Sequence, residues 1–298
     1  MTARPRIGIT VGDPAGIGPE IAASAAADPE VRRICEPVLY GPATPEALQP
    51  YAAGTVSAAA GRAAYEAILQ AVAAAQSGEI DALATAPINK EAFAAAGLPW
   101  PGHTELLAHL TGAKRVAMMF YADVLRVVLA TVHLPLAAVP AALTRDRLEE
   151  VVTLTADELP RFGHARARIA VAGLNPHAGE HGLFGREEET AIRPAIEACR
   201  SRGVDVHGPF PADTIFLRAS RGEFDAVVAC YHDQGLIPVK MAAFGRAVNV
   251  TLGLPIIRTS VDHGTAFDIA RRGMADASSL VHAVVLAARL AQGFGTRD

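Results

Sequence analysis

Three short apolar runs constrain the fold of this chain, because each is followed closely by a histidine and is separated from the next by helix-forming sequence. The runs and the histidines that follow them are residues 125–132 with His133, residues 169–172 with His177, and residues 226–229 with His232. Short continuous apolar runs are typical of strands that are buried on both faces. Strands that alternate with helices are typical of a mostly parallel sheet, so the sequence predicts an α/β fold.

The position of the three histidines indicates a metal site. In open α/β sheets, ligands bind outside the carboxyl ends of the strands, and each histidine comes at or just beyond such an end. Neutral imidazoles suit zinc and other transition-metal ions, and three protein ligands with an open fourth position are typical of a catalytic site. One such histidine is more often structural than functional, whereas three in the same topological position favour a shared metal site. The chain contains no HExxH motif that would offer a local alternative.

The stretch from residue 230 to residue 268 gathers polar groups around short β-type runs. Asp233 lies near its start, and Lys240, Asn249 and Arg258 follow at intervals of nine residues. Burying such groups without partners is costly, so a purely structural segment seldom collects them. Lys240 is one of only three lysines among 27 basic residues. A lysine, unlike an arginine, can change its protonation state readily, although a chance lysine is also compatible with the sequence.

Composition excludes several classes of protein. The 298 residues suffice for one large or two ordinary domains, and 51% of them are hydrophobic, which fits a globular protein with a substantial core. The net charge of −4 and the aromatic content of 5% argue against a nucleic-acid-binding surface. The three cysteines form no CxxC pair, which indicates reduced thiols in a cytoplasmic protein. The apolar stretch near the N-terminus is too short for the core of a signal peptide, and no apolar run in the chain is long enough to cross a membrane, so we expect neither.

Two segments near predicted helix starts are candidates for ligand contact. Residues 12–20, GDPAGIGPE, are typical of a strand-to-helix turn, but their glycines do not form a dinucleotide fingerprint because Ile21 occupies the position of the third glycine. His103 and Thr104 stand at the start of another predicted helix, where an imidazole and a hydroxyl could hold an anion. The residues alone favour the alternative that Thr104 caps this helix. Asp213 is predicted to lie in a loop before a later helix.

Eight motifs, spread over nearly the whole chain, together resemble one enzyme family. The motifs are GDPAGIGPE, TAPINKEA, GHTELLA, TVHLPL, NPHAGE, FPADT, YHDQGLIPVK and NVTLGLPIIRTSVDHGTAFDIA. They resemble 4-hydroxythreonine-4-phosphate dehydrogenase, the NAD-dependent enzyme of pyridoxal phosphate biosynthesis, and its 4-phospho-D-threonate and phosphoerythronate dehydrogenase relatives. The resemblance implies two αβα domains with mostly parallel sheets, similar to isocitrate and isopropylmalate dehydrogenases, and an active site in the interdomain cleft. The predicted domains are 1–100 plus 280–298, and 101–279, of which the second carries the metal and phosphate sites.

The resemblance also assigns roles to residues at the matching motif positions. The metal ligands would be His133, His177 and His232. The substrate would contact His103, Thr104, Lys240, Asn249 and Arg258. Catalytic roles would fall to Lys240, Asp213 and Asp233, where Lys240 either donates a proton or only binds an anion. NAD would contact Gly12, Asp13, Gly16, His263, Gly264, Thr265, Asp268 and Asp276.

The implied reaction is the oxidation, with decarboxylation, of 4-phosphooxy-L-threonine to 3-amino-2-oxopropyl phosphate. It would require NAD or NADP and one divalent metal ion per site, such as zinc, magnesium, cobalt or manganese. The implied assembly is a cytoplasmic homodimer with shared active sites, with no nucleic-acid or membrane partner.

Several alternatives to this reaction stay open at the level of sequence. They are a dehydrogenase of 4-phospho-D-threonate or 4-phospho-D-erythronate, a phosphate acyltransferase-like enzyme, and a non-catalytic metabolite-binding protein. A family branch that oxidises aromatic cis-dihydrodiols is disfavoured, because the residues assigned to phosphate are all present. The chain is shorter than the longer family members between Tyr40 and Gly61, which leaves the exact substrate open.

Overall fold

The computed structural model describes residues 4–243 and 245–294, which form two compact units. Unit 1 comprises Met1–Lys114 and Val248–Gln292, and unit 2 comprises Arg115–Ala247 and Gly293–Asp298. The sequence predicts domain boundaries after residues 100 and 279, whereas the structure groups residues 101–114 and 248–279 with unit 1. The outer ends of the predicted first domain, residues 1–3 and 295–298, lie outside the described residues.

Strands and helices alternate along most of the described chain. The strands are β1 (Arg6–Thr10), β2 (Glu36–Tyr40), β3 (Ala82–Thr85), β4 (Ala117–Ala122), β5 (Leu125–Leu129), β6 (Ile169–Ala172), β7 (Val206–Phe210), β8 (Ala226–Ala229), β9 (Val248–Leu252) and β10 (Arg258–Ser260). The helices are α1 (Gly18–Ala27), α2 (Pro29–Ile34), α3 (Pro45–Leu48), α4 (Ala58–Ser77), α5 (Lys90–Ala95), α6 (His103–Thr111), α7 (Val139–Ala142), α8 (Arg145–Glu158), α9 (Arg193–Ser201), α10 (Ala212–Ser220), α11 (His232–Ala243) and α12 (Ser278–Gln292).

The strands of unit 1 lie in the order β2-β1-β3-β10-β9. The first four are mutually parallel, and β9 runs antiparallel to β10. Ile7, Ile9 and Leu83 are fully buried in this sheet, and each such side chain contributes about 1.5–3 kcal/mol through removal from water. Helix α12 packs against β3 and β10. Because these two strands are parallel neighbours, their carboxyl ends meet at one edge of the sheet.

The strands of unit 2 lie in the order β4-β5-β8-β6-β7. Here β5, β8, β6 and β7 are parallel, and β4 runs antiparallel to β5. Helix α11 packs tightly on β5, since a Cβ atom added to Gly235 would lie 2.7 Å from the Leu129 side chain. This close packing fixes the start of α11 next to the carboxyl end of β8. The predicted α/β class with mostly parallel strands is confirmed in both units.

Three local predictions are corrected by the structure. Thr104 does not cap its helix, because α6 begins at His103 and its N-cap is Gly102, which has no side chain to accept a hydrogen bond. Asp213 lies within the first turn of α10 rather than in the preceding loop. The apolar run predicted as a strand over residues 125–132 forms a strand only as far as Leu129. Within the described chain, no helix combines the length and apolar character needed to cross a membrane.

Candidate functional site

Two of the three predicted metal-ligand histidines lie side by side in unit 2. The parallel strands β5, β6 and β8 end at the same edge of the sheet, and His133, His177 and His232 follow them by four, five and three residues. The ring centroids of His133 and His232 are 5.7 Å apart. The Nδ1 atom of His232 lies 2.7 Å from Oδ1 of Asp233, so the carboxylate can orient this imidazole and leave Nε2 for a ligand.

The donor set within one chain is incomplete. Across the described residues, no group of three or more His, Cys, Asp or Glu side chains is arranged to hold a metal ion. The neighbouring imidazoles of His133 and His232 fit a transition-metal ion as part of a set, because nitrogen donors of this kind are its preferred ligands. His177 is exposed on a turn of its own and contacts the ring of Phe184 at 6.1 Å between centroids.

Hydrogen bonds tie together the three segments that carry the histidines. The Thr131 hydroxyl donates to the Cys230 carbonyl at 2.8 Å, which links the ends of β5 and β8. The side-chain amide of Gln234 accepts from the Cys230 N–H at 2.6 Å and donates to the Gly173 carbonyl at 2.8 Å. Gln234 is buried in α11 and therefore connects the segment before His232 with the segment before His177.

Cys230 lies two residues before His232, and its thiol is buried in the core. Burial, and to a lesser degree the negative charge of Glu188, raise the pKa of the Cys230 thiol far above its ordinary value. Its Sγ donates to the Ala172 carbonyl at 3.3 Å.

An exposed apolar groove of about 570 Å³ lies beside the start of α11. Asp213 and Asp233 line it, so these two predicted catalytic residues share one surface of unit 2. The apolar side chains of Leu217, Ile237 and Met241 also line it and are 55%, 59% and 83% exposed. Such a large exposed apolar patch is typical of an interaction surface.

Lys240 lies in the last turn of α11 and is half-buried. It comes eight residues after His232, which places it about 12 Å farther along the helix axis at 1.5 Å per residue.

Arg258 is the central feature of a polar cluster in unit 1. Its guanidinium is only 2% exposed and donates to the Thr85 hydroxyl from Nη2 at 2.7 Å and from Nε at 3.2 Å. Nη1 donates to the Thr251 hydroxyl at 2.9 Å. Burial lowers the pKa of Arg258 to about 9, an effect that the negative charge of Glu105 partly opposes. In the described part of the chain, Arg258 forms no ion pair with a carboxylate.

Two further polar atoms of this cluster are buried without a hydrogen-bond partner among the described residues, namely Nε2 of His103 and Oδ1 of Asn249. His103 begins α6, and Asn249 is paired with Ser260 between β9 and β10. Burial, and secondarily the positive charge of Arg258, hold the pKa of His103 well below 6.5. Thr104, the next residue, places its amide at the start of α6, where backbone N–H groups favour an anion. The buried Arg258 cation, the backbone N–H groups at the start of α6 and the unpaired Nε2 of His103 together fit an anion, whereas the unpaired Oδ1 of Asn249 is an acceptor and needs a donor.

The low pKa of His103 gives an expected dependence of stability on pH. The unfolded chain binds a proton to this imidazole near pH 6.5, whereas the folded protein binds it only at lower pH. Folding stability therefore falls as the pH drops below about 6.5, because the unfolded state then binds more protons. We expect His103→Gln to reduce this fall when the free energy of unfolding is measured by urea denaturation between pH 7.5 and pH 5. If the free energy of unfolding falls with pH equally in the unchanged protein and in His103→Gln, this expectation is wrong.

Four of the eight predicted cofactor residues lie at or against the turn that follows β1, namely Gly12, Asp13, Gly16 and Thr265. Asp13 is buried, its Oδ1 accepts from the Ala15 N–H at 2.8 Å, and its Oδ2 has no hydrogen-bond partner in the described chain. Burial raises the pKa of Asp13. Gly16 lies against Thr265, since an added Cβ would be 2.8 Å from the Thr265 carbonyl oxygen. The Ile17 N–H donates to that same oxygen at 3.0 Å, so the turn and the loop around Thr265 are joined.

Gly12 adopts a positive φ of 69° on the turn, and an added Cβ would be 2.2 Å from the Pro87 carbonyl oxygen. The remaining predicted cofactor residues lie mainly at the surface. Gly264 and Asp268 are exposed, and His263 is half-buried. The Asp276 carboxylate accepts from the Ser278 N–H at 2.8 Å and so contacts the first turn of α12.

Sequence reasoning missed Thr85, Thr251 and Gln234. Thr85 ends the buried strand β3, Thr251 lies inside β9, and Gln234 directly follows the His-Asp pair at the start of α11. Each is a buried polar residue within one of the motifs quoted above, and that position was the available signal. The bond of Thr85 to Arg258 and the bond of Gln234 to Gly173 span 173 and 61 residues, so only the fold reveals them.

The comparisons with known proteins agree along almost the whole chain. The sequence pattern of the family described as pyridoxal phosphate biosynthetic protein PdxA matches residues 20–287. A 4-hydroxythreonine-4-phosphate dehydrogenase of Desulforapulum autotrophicum is 47% identical over 323 residues, covering 96% of this chain and 95% of that protein. A D-threonate 4-phosphate dehydrogenase of Pectobacterium atrosepticum is 44% identical over 325 residues, covering 96% of this chain and 99% of that protein.

Solved structures extend the similarity to the fold. The crystal structure of 4-hydroxythreonine-4-phosphate dehydrogenase from Klebsiella pneumoniae has a TM-score of 0.87 at 41% identity, covering 97% of this chain and 100% of that chain. Isocitrate dehydrogenase from Methylococcus capsulatus has a TM-score of 0.53 at 17% identity, covering 96% of this chain and 87% of that chain. The second similarity concerns the fold alone, and it confirms the predicted likeness to isocitrate dehydrogenases.

Proposed function

Because the chain belongs to the pyridoxal phosphate biosynthetic protein PdxA family, we propose that it oxidises 4-phosphooxy-L-threonine, with loss of CO2, to 3-amino-2-oxopropyl phosphate. The predicted enzyme class is confirmed, since the similar curated proteins are dehydrogenases. The observation that carries the proposed substrate is Arg258, a buried guanidinium without a carboxylate partner in the described chain. A buried cation of this kind is costly unless an anion pairs with it.

The phosphate group is the anion that this cluster fits best. A guanidinium has five N–H groups, and the hydroxyls of Thr85 and Thr251 take three bonds from Arg258. The remaining N–H groups can donate to phosphate oxygens in the paired geometry that arginine favours. His103 and Thr104 add donors at the start of α6, and binding of an anion there would raise the pKa of His103.

The three histidines are the proposed ligands of a divalent metal ion. His133 and His232 lie side by side in one chain, and His177 of a second copy of the chain would complete the set. When bound, a divalent ion supplies Lewis-acid stabilisation of a hydroxyl oxygen that loses its proton. Asp233 would accept a hydrogen bond from the Nδ1–H of His232, which fixes the ring orientation and the tautomer that leaves Nε2 available for a metal ion.

NAD or NADP is the proposed hydride acceptor, bound in unit 1. The unpaired Oδ2 of Asp13 and the joined loops around Gly16 and Thr265 provide a polar surface for it. The positive φ of Gly12 allows the backbone to make this turn without the strain that a side chain would bring. Proton transfer by Lys240 and pairing of Lys240 with an anionic oxygen both stay possible roles in this proposal.

A 4-phospho-D-threonate dehydrogenase is the second candidate function. It is favoured by the relative from Pectobacterium atrosepticum, whose name gives D-threonate 4-phosphate as its substrate and whose identity to this chain is 44%. Both candidates share the phosphate on C4, and they differ at C2, the carbon next to the carboxylate, which carries an amino group in the first and a hydroxyl group in the second. The cluster around Arg258 recognises the shared group only.

Purified protein tested against a substrate panel separates these candidates. The panel contains 4-phosphooxy-L-threonine, 4-phospho-D-threonate and 4-phospho-D-erythronate, each with NAD or NADP and with Mg²⁺, Mn²⁺, Co²⁺ or Zn²⁺. We expect reduced cofactor and CO2 with 4-phosphooxy-L-threonine and the highest kcat/KM for it. A higher kcat/KM for 4-phospho-D-threonate would replace the first function with the second. The absence of turnover on every phosphorylated compound would reject both.

A homodimer is the expected smallest active unit. The apolar side chains of Leu217, Ile237 and Met241 would be covered by a second copy, which would also supply His177 to the proposed donor set. We expect Met241→Glu to weaken the dimer by at least about tenfold in Kd, because it places a charge in an apolar contact. Sedimentation equilibrium measures this, with Met274→Glu, the same substitution at a similarly exposed residue of unit 1, as the matched control. A fully active monomer of the unchanged protein at assay concentration would refute the expectation.

A further inference from the structure

The turn that carries His177 has an unusual backbone conformation. Residues 177–181 all have positive φ, with values of 53° for His177, 54° for Ala178, 41° for Glu180 and 55° for His181. The left-handed region is unfavourable for every residue except glycine, and it occurs normally as single residues. A run of this length persists only where the surrounding structure holds it in place.

The carboxylate of Glu188 lies directly against this turn. Glu188 is 1% exposed, and its Oε1 accepts from the Asn175 backbone N–H at 2.7 Å. Its Oε2 accepts from the Asn175 side-chain amide at 2.9 Å. At Gly179, in the middle of the turn, an added Cβ would lie 2.7 Å from the same Oε2 atom. The turn is therefore built around the Glu188 carboxylate.

Asn175 connects this buried carboxylate to the start of the turn. Its side-chain amide donates to Glu187 at 2.7 Å as well as to Glu188, so both hydrogens of the Nδ2 group are used. An Asn175 side chain turned by 180° would bring its Oδ1 against two carboxylates, which fixes the orientation of the amide. In the described chain, Glu188 forms no ion pair, so N–H donors are what stabilise its charge.

We propose that Glu188 is a positioning residue that, through Asn175, holds residues 177–181 in the conformation in which His177 binds the metal ion. This inference rests on the proposed function, in which His177 is a metal ligand. Glu188 itself is buried beneath the turn and takes no part in coordination. Partners that orient metal ligands typically contribute about 10–100-fold to metal affinity.

A conservative substitution isolates this role. Glu188→Gln keeps the size of the side chain but replaces one accepting oxygen with an N–H₂ group, which then faces a donor of Asn175. Glu189→Gln is the matched control, because it removes the same charge from the next residue, which is exposed. Asn175→Ser is a second variant that removes the side-chain bonds to both glutamates while it keeps the backbone bond to Glu188.

The experiment measures Co²⁺ binding to the full-length dimer by its visible absorption spectrum, with thermal denaturation of each metal-free variant beside it. We expect Glu188→Gln to weaken Co²⁺ binding at least about tenfold, Asn175→Ser to weaken it less, and Glu189→Gln to change it by less than about twofold. The Co²⁺ spectrum of Glu188→Gln should also change in shape, because the position of one nitrogen ligand is no longer fixed. If Glu188→Gln fails to fold, Asn175→Ser against Glu189→Gln decides the question.

Two outcomes overturn the inference, and they are distinguishable from failure of the proposed function. If the unchanged protein binds Co²⁺, His177→Ala does not, and Glu188→Gln binds as tightly as the unchanged protein, Glu188 does not position His177 although the metal site stands. A lower melting temperature for Glu188→Gln with unchanged Co²⁺ affinity means a structural role only. If the unchanged protein binds no Co²⁺, or His177→Ala binds it normally, the proposed metal site is wrong and the inference fails with it.

Discussion

Arg258→Ala is expected to lower kcat/KM for the phosphorylated substrate by at least about thirtyfold, which corresponds to ~2 kcal/mol of lost binding in the transition state. The reason is that the guanidinium is buried with three bonds to threonine hydroxyls and has no carboxylate partner in the described chain. In Arg258→Ala, a phosphate that leaves water for this cluster would no longer meet its principal cation. Much of the loss should appear in KM if the phosphate serves mainly as a binding handle.

A second substrate separates recognition of phosphate from general damage. The same hydroxyacid without its phosphate should be a poor substrate for the unchanged enzyme and should suffer little further loss from Arg258→Ala. Arg258→Lys should fall between the two enzymes, because lysine keeps the charge but lacks the planar paired donors. If Arg258→Ala reduces kcat/KM equally for both substrates, Arg258 does not recognise phosphate.

The pKa of Arg258 adds a test that uses the unchanged enzyme. With burial lowering this pKa to about 9, kcat/KM for the phosphorylated substrate should decline above pH 9 as the free enzyme loses the cation. The free energy of unfolding of the free protein should change in the opposite direction and rise with pH above about 9. The reason is that the unfolded chain holds this proton up to a higher pH than the folded chain does. Inorganic phosphate should raise the melting temperature of the unchanged protein at pH 7 and should not raise that of Arg258→Ala.

The sequence predicted the α/β class because apolar runs that alternate with helical segments are a local signal. It could not predict the division into units, since that depends on pairings such as β3 with β10, whose residues are far apart in the chain. The bond from Arg258 to Thr85 spans 173 residues, so no window of sequence contains both partners. The left-handed turn at residues 177–181 could not be predicted for a similar reason, because its support comes from Glu188 rather than from its own residue types.

Local signals also failed where two physical readings of the same residue compete. A threonine near a helix start is a common cap, but at Thr104 the chain enters α6 one residue earlier through Gly102. That shift moves Thr104 from the cap into the first turn, where its backbone N–H is one of those left free to bind an anion. The three histidines follow parallel strands that end at one edge of the sheet, and their arrangement in space, with two near each other in one chain, follows only from the fold.

Loss of the histidines that we propose as metal ligands is the prediction with the largest expected effect. We expect His177→Ala and His232→Ala each to abolish stoichiometric metal binding and to lower kcat by about a thousandfold or more, because Lewis-acid stabilisation is worth several kcal/mol. His181→Ala is the matched control, since it removes another histidine of the same left-handed turn. Metal content by atomic emission and turnover are measured on the same preparations. Stoichiometric metal in both the His177 and His232 variants would contradict the assignment.

Mixing the two inactive variants tests whether the ligands of one metal ion come from two subunits. In a homodimer that shares its sites, a mixed dimer of His177→Ala and His232→Ala has one site with both substitutions and one site with neither. Random reassembly makes about half of the dimers mixed, so about a quarter of the metal sites and of the activity should return. If all three histidines of a site belong to one chain, every site keeps a missing ligand and mixing restores nothing. The neighbouring rings of His133 and His232, and the incomplete donor set of the described chain, favour the first result.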